Sequence, residues 1–367
     1  MLGACHNSGM NSTLPDHEAF APLAALPCGL DAPLQTLLDN KTKPVGSLGR
    51  LEQLAHQLGR VQQTLAPRLQ RCAVWVFAAS HGPGDQVSAY PSAVTWQMVE
   101  NFLAGGAAIS VLARELGLSL QVIDAGVDHA FGERPGLINA KVAAGTRNWL
   151  DGTAAMTQAE FTLAWMRGHD LGLSCEAEAL GFGEMGIGNT ASASMLLHGF
   201  TGEPLSVCVG PGTGRHGEAL REKQRLLEQA ARHITAPTPA RDPGACMAWA
   251  CAAGGFEIVM MAGAMVGAAR RGCVLVVDGF ISSVAALLAE RLVGGVSQRA
   301  VFSHRSAEPA HRLVLGELDA MPLLDFDMRL GEGTGAALAM PVLRAACALY
   351  DMASFEQAGV SRREEPA

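Results

Sequence analysis

Five short apolar runs, each ending in small or polar residues and each followed by sequence of helical character, constrain the fold of this chain more than any other feature. They are "CAVWVFAAS" closing on Ser80-His81-Gly82, "LSLQVIDAG" with Asp124, "EALGFGEMG", "CVLVVDGF" with Asp278 and "AVFSH" closing on His304. Between them, helical patterns run from Ser92 to Glu115, Asn189 to His198, Gly217 to His233, Phe256 to Arg270 and Ser282 to Arg291. Strands covered on both faces read as continuous apolar runs, so this alternation predicts a parallel sheet with crossover helices. Ligands of such sheets sit outside the carboxyl ends of the strands, and the polar endings therefore outline a candidate site. Further helical patterns, Pro33 to Leu65 and Ala336 to Met352, predict a small helical domain built from both termini. The expected division is a flexible lead-in (1–27), the first part of the helical domain (28–70), a large α/β catalytic domain (71–335) and the second helical part (336–367). "SRREEPA" reads as a loose end. The Pro-rich "APTPARDPG", Ala236 to Gly244, reads as a surface loop.

Composition narrows the function. Hydrophobic residues make up 49% and charged residues 17% of 367, which describes a packed interior and not a disordered chain. A net charge of -8 leaves no electrostatic footprint for nucleic acid or for an anionic membrane surface, so small-molecule substrates are expected. Nine scattered cysteines, without a C-x-x-C pair, fit reduced thiols in the cytoplasm better than disulfides or a zinc site. The first twenty residues lack the basic and apolar regions of a secretory signal, and the most apolar later segments are interrupted by charge, so no membrane span is expected.

Three glycine motifs carry possible chemistry. "GFGEMG", Gly181 to Gly186, matches G-x-G-x-x-G after an apolar run, and a dinucleotide loop of a nicotinamide-dependent oxidoreductase is one reading. Against it, Glu203 precedes the next apolar segment instead of ending it, and Glu184 would face a pyrophosphate. A structural turn and a mononucleotide or base contact are the other readings. "GPGTG", Gly210 to Gly214, offers amides to a phosphate, with Arg215, Arg221 and Lys223 as charge partners, or is an ordinary connection before an amphipathic helix. "GEGTG" frames Glu332 with glycines before a helix. The acid either complements the helix start or is a pre-oriented base that a substrate can approach closely. "FSHRSAEPAH" adds Ser303, Ser306, Glu308 and two histidines, His304 and His311, which suit a hydrogen-bonding scaffold better than a metal site.

Taken in order from about Asp39 to Val360, the blocks "DNKTKPVGSLGRLEQLA", "VSAYPSAVTWQMVENFLAGGAAISVLAR", "GFGEMGIGNTASAS", "GPGTG", "GGFEIVMMAGAMVGAARRGCVLVVDGFISS", "FSHRSAEPAHR", "PLLDFDMRLGEGTGAALAMPVLRAA" and "MASFEQAGV" resemble the nicotinate-nucleotide:dimethylbenzimidazole phosphoribosyltransferase family of cobalamin biosynthesis. The resemblance implies a Rossmann-like parallel sheet flanked by helices and a homodimer whose site is completed by the neighbouring subunit; no cofactor or metal is expected, since no obvious acidic pair for a pyrophosphate-bound Mg²⁺ stands in the sequence. It implies transfer of the phosphoribosyl group of nicotinate mononucleotide to a benzimidazole. By the same matching, Glu332 is the catalytic base. Glu184, Gly186, Ile187, Gly212, Lys223, Ser303 and Ser306 are nucleotide-site residues, and Ser88 and Gln97 lie on the benzimidazole side. A non-catalytic azole or nucleotide binder is the remaining alternative. Three positions depart from the family pattern: Ser80 stands for Asp, Pro211 for Arg and Ala310 for Gly.

Overall fold

The computed structural model describes residues 14–212 and 214–361; the expectation for the final residues after Ser361 lies outside them. Among the described residues six parallel strands, β1 (Cys72–Ala79), β2 (Ser119–Gly126), β3 (Leu137–Asn139), β4 (Ala179–Met185), β5 (Val274–Val277) and β6 (Ala300–Phe302), lie in the order β3-β2-β1-β4-β5-β6. This is the doubly wound order, and it reverses direction between β1 and β4. Five strands are the five apolar runs. The sixth, β3, is a three-residue edge strand too short to stand out as a run.

Alternation along β1 divides the core between two layers of helix. Ala73, Trp75, Phe77 and Ala79 join the cluster built with the helices Gln158–Ser174, Asn189–Thr201, Pro243–Ala253, Phe256–Arg270 and Phe280–Leu292. Cys72, Val74, Val76 and Ala78 face the helices Arg50–Val61, Val94–Leu103, Ala108–Glu115 and Thr334–Ala348. The Phe256–Arg270 helix is apolar all round and is buried along almost its whole length, as a helix inside such a layer must be.

Several local expectations change in the fold. Ser92 to Glu115 forms two helices because the chain turns at Gly105, whose φ is +80°. Pro33 to Leu65 is likewise two helices, Asp31–Asp39 and Arg50–Val61, split by the Pro- and Gly-containing stretch between them. The loop at Ala236 to Gly244 ends early, where the Asp242 carboxylate accepts from the Ala245 amide at 2.9 Å and Pro243 opens a helix. Within the lead-in, residues 1–13 lie outside the described part. Glu18–Phe20 is packed instead of loose: Phe20 stacks on Trp165 at 5.2 Å, and the Trp165 indole N–H donates to the Ala19 carbonyl at 3.0 Å.

The segment after the Asp31–Asp39 helix meets the segment after the Thr334–Ala348 helix. Lys41 Nζ donates to the carbonyls of Tyr350 and Met352 at 2.7 and 2.8 Å, and the Thr42 amide donates to Ala353. Leu54, Leu58, Leu343 and Ala346 share one apolar cluster with Val74 and Val76 of the sheet, so the terminal helices cover a sheet face directly.

Candidate active site

"GFGEMG" is a strand and not a turn: Gly181 and Gly183 lie inside β4. The reason is what crosses above. A Cβ on Gly183 would stand 2.5 Å from the carbonyl carbon and oxygen of Glu332 and from the Gly333 amide. The bare strand thus lets "GEGTG" lie directly on it. In that loop Gly331, Glu332 and Gly333 all have positive φ, at +84°, +63° and +85°. For Glu332 this left-handed backbone costs about 1–2 kcal/mol, a strain typical of functional positions. Asp278, at the end of β5, pins the loop: its carboxylate accepts from the Gly333 amide at 3.1 Å and from Ala336 at 3.0 Å, capping the Thr334–Ala348 helix. Asp278 therefore takes the helix-start role weighed for Glu332, which lies one residue before the N-cap.

Glu332 borders a cavity of about 720 Å³ at the carboxyl ends of β4, β5 and β6, beside the point where strand order reverses. It is 6% exposed, and its Oε2 has no hydrogen-bond partner among the described residues. Burial pushes its carboxyl up, opposed by the Ile109 amide in the first turn of the Ala108–Glu115 helix. Glu184 stands next to the same loop and takes a hydrogen bond from the Asn189 amide group. Burial first, then the charges of Asp278 and Glu257, raise it to about 8. Asp278 is raised to about 7, mainly by burial. At neutral pH Glu184 is therefore an uncharged acid, and the repulsion it would exert on Glu332 is reduced.

Both shifts bear on stability. Unfolded carboxyls titrate near 4, so the native protein retains protons that the unfolded chain has released. The contribution is complete below about pH 4 and is lost as pH rises through 7 to 8. The thermal midpoint is expected to fall by about 5 °C between pH 6 and 8.5, and the slope should be smaller in Glu184→Gln. Parallel melting profiles for the two proteins would exclude this origin.

Another part of the lining is polar. Gly212 lies on it, and Lys223 lies one layer behind: its Nζ donates to Thr190 Oγ1 and to the Gly210 carbonyl, both at 3.1 Å. Burial lowers Lys223 to about 8, and the nearby Glu308 opposes that shift. Arg329, exposed at the rim, donates to the Gly212 carbonyl at 3.0 Å. Ser306 borders the cavity and receives the Glu308 amide at 3.2 Å. Ser303 is wholly buried behind it, donating to the Asp278 carbonyl at 3.0 Å. His311 is scaffold: its Nδ1 accepts from the Ser306 amide at 2.9 Å, and burial pushes it down to about 3, leaving it neutral.

The structure gathers Glu332, Glu184, Gly186, Ile187, Gly212 and Ser306 around one cavity, with Lys223 and Ser303 as its backing. It does not bring Ser88 or Gln97 there within this chain. The Ser88 hydroxyl accepts from the Tyr90 amide at 3.2 Å and its carbonyl from Arg215 at 2.7 Å, while Tyr90 itself borders the cavity. Gln97 is exposed on the Val94–Leu103 helix, whose Val94 and Met98, one turn apart, face inward. Arg329, Asn189 and Tyr90 were missed; Arg329 sits within the "RLGEGTG" block and was the one legible from its charge. Of the departures, Ser80 takes the Asp128 amide at 3.0 Å, and Pro211 opens the turn to Gly214 and Arg215.

A hollow of this size, apolar on the side of Val94 and Met98 and hydrogen-bonding on the side of Ser306 and Glu308, accommodates a small pair of reactants and places the chain among α/β enzymes of small-molecule chemistry. Residues 28–360 match the family model described as "Phosphoribosyltransferase", and the chain belongs to that family, the nicotinate-nucleotide–dimethylbenzimidazole phosphoribosyltransferases. A relative of that name from Dechloromonas aromatica is 54% identical over 92% of this chain and 97% of its own length. Another, from Aromatoleum aromaticum, is 50% identical over 91% and 97%. The crystal structure of CobT from Thermus thermophilus superimposes with a TM-score of 0.85 at 41% identity, covering 91% of this chain and 99% of that one. Among the described residues no helix is long and apolar enough to cross a membrane.

Proposed function

We propose that this protein transfers the phosphoribosyl group of nicotinate mononucleotide to 5,6-dimethylbenzimidazole or a related azole, giving α-ribazole 5′-phosphate and nicotinate for the lower ligand of cobalamin. The observation that carries this reading is Glu332, a buried carboxylate with one unpartnered oxygen at the cavity wall. Nicotinate leaves from a pyridinium nitrogen; breaking the C–N bond returns the electron pair to the ring and relieves its charge, so the leaving group needs no proton. The azole nitrogen attacks C1′ from the opposite face, which inverts β to α. As that bond forms, the second ring N–H becomes acidic and Glu332 accepts its proton. The burial that raises Glu332 makes it a better base than an exposed glutamate. Alignment of ribose and azole in one enclosed hollow lowers the rest of the barrier. The oxidoreductase alternative finds no support, because Gly181 and Gly183 lie in a strand instead of a phosphate-binding turn.

The test is a product assay with both substrates, following nicotinate release and the anomeric configuration of the ribotide. A non-catalytic binder would bind both ligands and release nothing. Lys223 supports the Gly210–Gly212 loop beside Arg329, where the nucleotide phosphate belongs. Lys223→Ala is expected to raise KM for nicotinate mononucleotide about tenfold with KM for the azole unchanged. An unchanged nucleotide KM would count against that role.

The reading includes a homodimer in the cytoplasm. Met321, Phe326 and Leu330 are 69%, 64% and 58% exposed, and Leu330 forms part of the cavity rim. Apolar exposure beside a binding site suits a subunit contact. Sedimentation of Phe326→Glu at micromolar concentration is expected to give monomer where the parent protein gives dimer.

A further inference from the structure

We propose that Glu308 selects ribose over deoxyribose in the nucleotide donor by accepting hydrogen bonds from the sugar hydroxyls; the assignment rests on the phosphoribosyl-transfer reading above. Glu308 is 5% exposed and borders the same cavity as Glu332. Its backbone is tied down, the amide donating to Ser306 Oγ at 3.2 Å. Burial raises its carboxyl, opposed by the charge of Lys223 and by the Gly212 amide, which hold it from behind. Gly210 has no side chain to displace it: a Cβ there would overlap Oε2. Yet Oε1 has no partner among the described residues. A buried acceptor left unpaired is destabilising, so a fixed carboxyl in this state is matched to a donor that arrives with the ligand.

The chemistry of the two substrates leaves few donors. At neutral pH the phosphate is mainly an acceptor and the nicotinate carboxylate entirely so, and both carry the sign of charge that a carboxylate disfavours. The pyridinium nitrogen is alkylated and has no N–H. The acceptor azole has a single N–H, which goes to Glu332. Only the 2′- and 3′-hydroxyls of the ribose remain. Position agrees with this, because Arg329 and Lys223 draw the 5′-phosphate to the wall that carries Gly212, and that phosphate is separated from the sugar ring by one ester oxygen and one carbon. Glu308 shares that wall. A hydrogen bond from a hydroxyl to a buried carboxyl oxygen discriminates strongly, since the analogue that lacks it leaves the acceptor unpaired.

The experiment compares kcat/KM for nicotinate mononucleotide with those for its 2′-deoxy and 3′-deoxy analogues in the parent protein and in Glu308→Gln. The parent is expected to favour the ribonucleotide about 100-fold over at least one analogue, and the variant about tenfold or less over the same analogue. A loss of folding or of loop support would lower all three rates together and leave the ratio unchanged; an unchanged ratio overturns the assignment. So does a parent protein that uses all three donors equally well, which requires no variant. If the parent releases no nicotinate from any donor, the transferase reading fails separately. Calorimetric Kd values for the same three nucleotides then decide the Glu308 assignment by the same ratio.

Discussion

Glu332→Gln is expected to lower kcat by about 10²–10⁴-fold while leaving KM for both substrates near the parent values. The substitution keeps the volume and the left-handed backbone of Glu332, so the loop over β4 is undisturbed and only proton acceptance is lost. Because burial raises the Glu332 carboxyl, the parent enzyme should lose kcat as pH falls through that raised value, and this acidic limb should be absent from the variant's residual activity. Glu184 offers the control. It holds its proton up to about pH 8, so it cannot stand in as a base at neutral pH. A Glu332→Gln enzyme retaining turnover within a few-fold of the parent would move the proton-accepting role elsewhere.

Gly183→Ala should affect stability and catalysis together. The three atoms nearest the added Cβ would be main-chain atoms, the carbonyl carbon and oxygen of Glu332 and the amide nitrogen of Gly333, all at 2.5 Å, and none of these is the free end of a flexible side chain. Either β4 shifts against β1, where Gly183 pairs with Val76, or the Glu332 loop lifts. Overpacking of this kind costs about 1–3 kcal/mol, and a displacement of about 1 Å at the reacting group costs about 10²-fold in rate. Gly181→Ala, two residues earlier on the same face, meets side-chain carbons of Ala336 and Val74 at 3.1 Å and should lower the thermal midpoint with kcat largely kept. Thermal midpoint and kcat measured on both variants separate the effects. A fully active Gly183→Ala would mean that this contact does not place the base.

Five of the six strands, and the polar residues at their ends, were legible because a doubly covered parallel strand must be a continuous apolar run. The edge strand Leu137–Asn139 and the helix Gln158–Ser174 were not, the first for want of length and the second because its apolar face is narrow. The turn readings of "GFGEMG" fail because a glycine pattern records only that side chains are absent. Whether that absence serves a turn or a close crossing depends on what lies above, and here it is a loop from the far end of the chain. Gln97, expected on the benzimidazole side from its motif, does not line the cavity within this chain, where helix phase turns Val94 and Met98 inward. Ser303 and Lys223 lie behind the cavity surface instead of on it, a distinction that motif matching does not make.

The sequence alone determined the alternation of strand and helix, the line of polar strand ends and the glycine-framed acid, because each follows from period, length or local backbone freedom. Tertiary structure alone decided that Glu332 would lie across Gly183, that Asp278 would cap the following helix, that Glu184 would hold its proton, and that Glu308 would border the cavity while one of its buried oxygens has no partner among the described residues. Those properties come from burial and from groups brought together across long stretches of chain. Desolvation and close approach exist only once the layers have packed, so no local pattern encodes them.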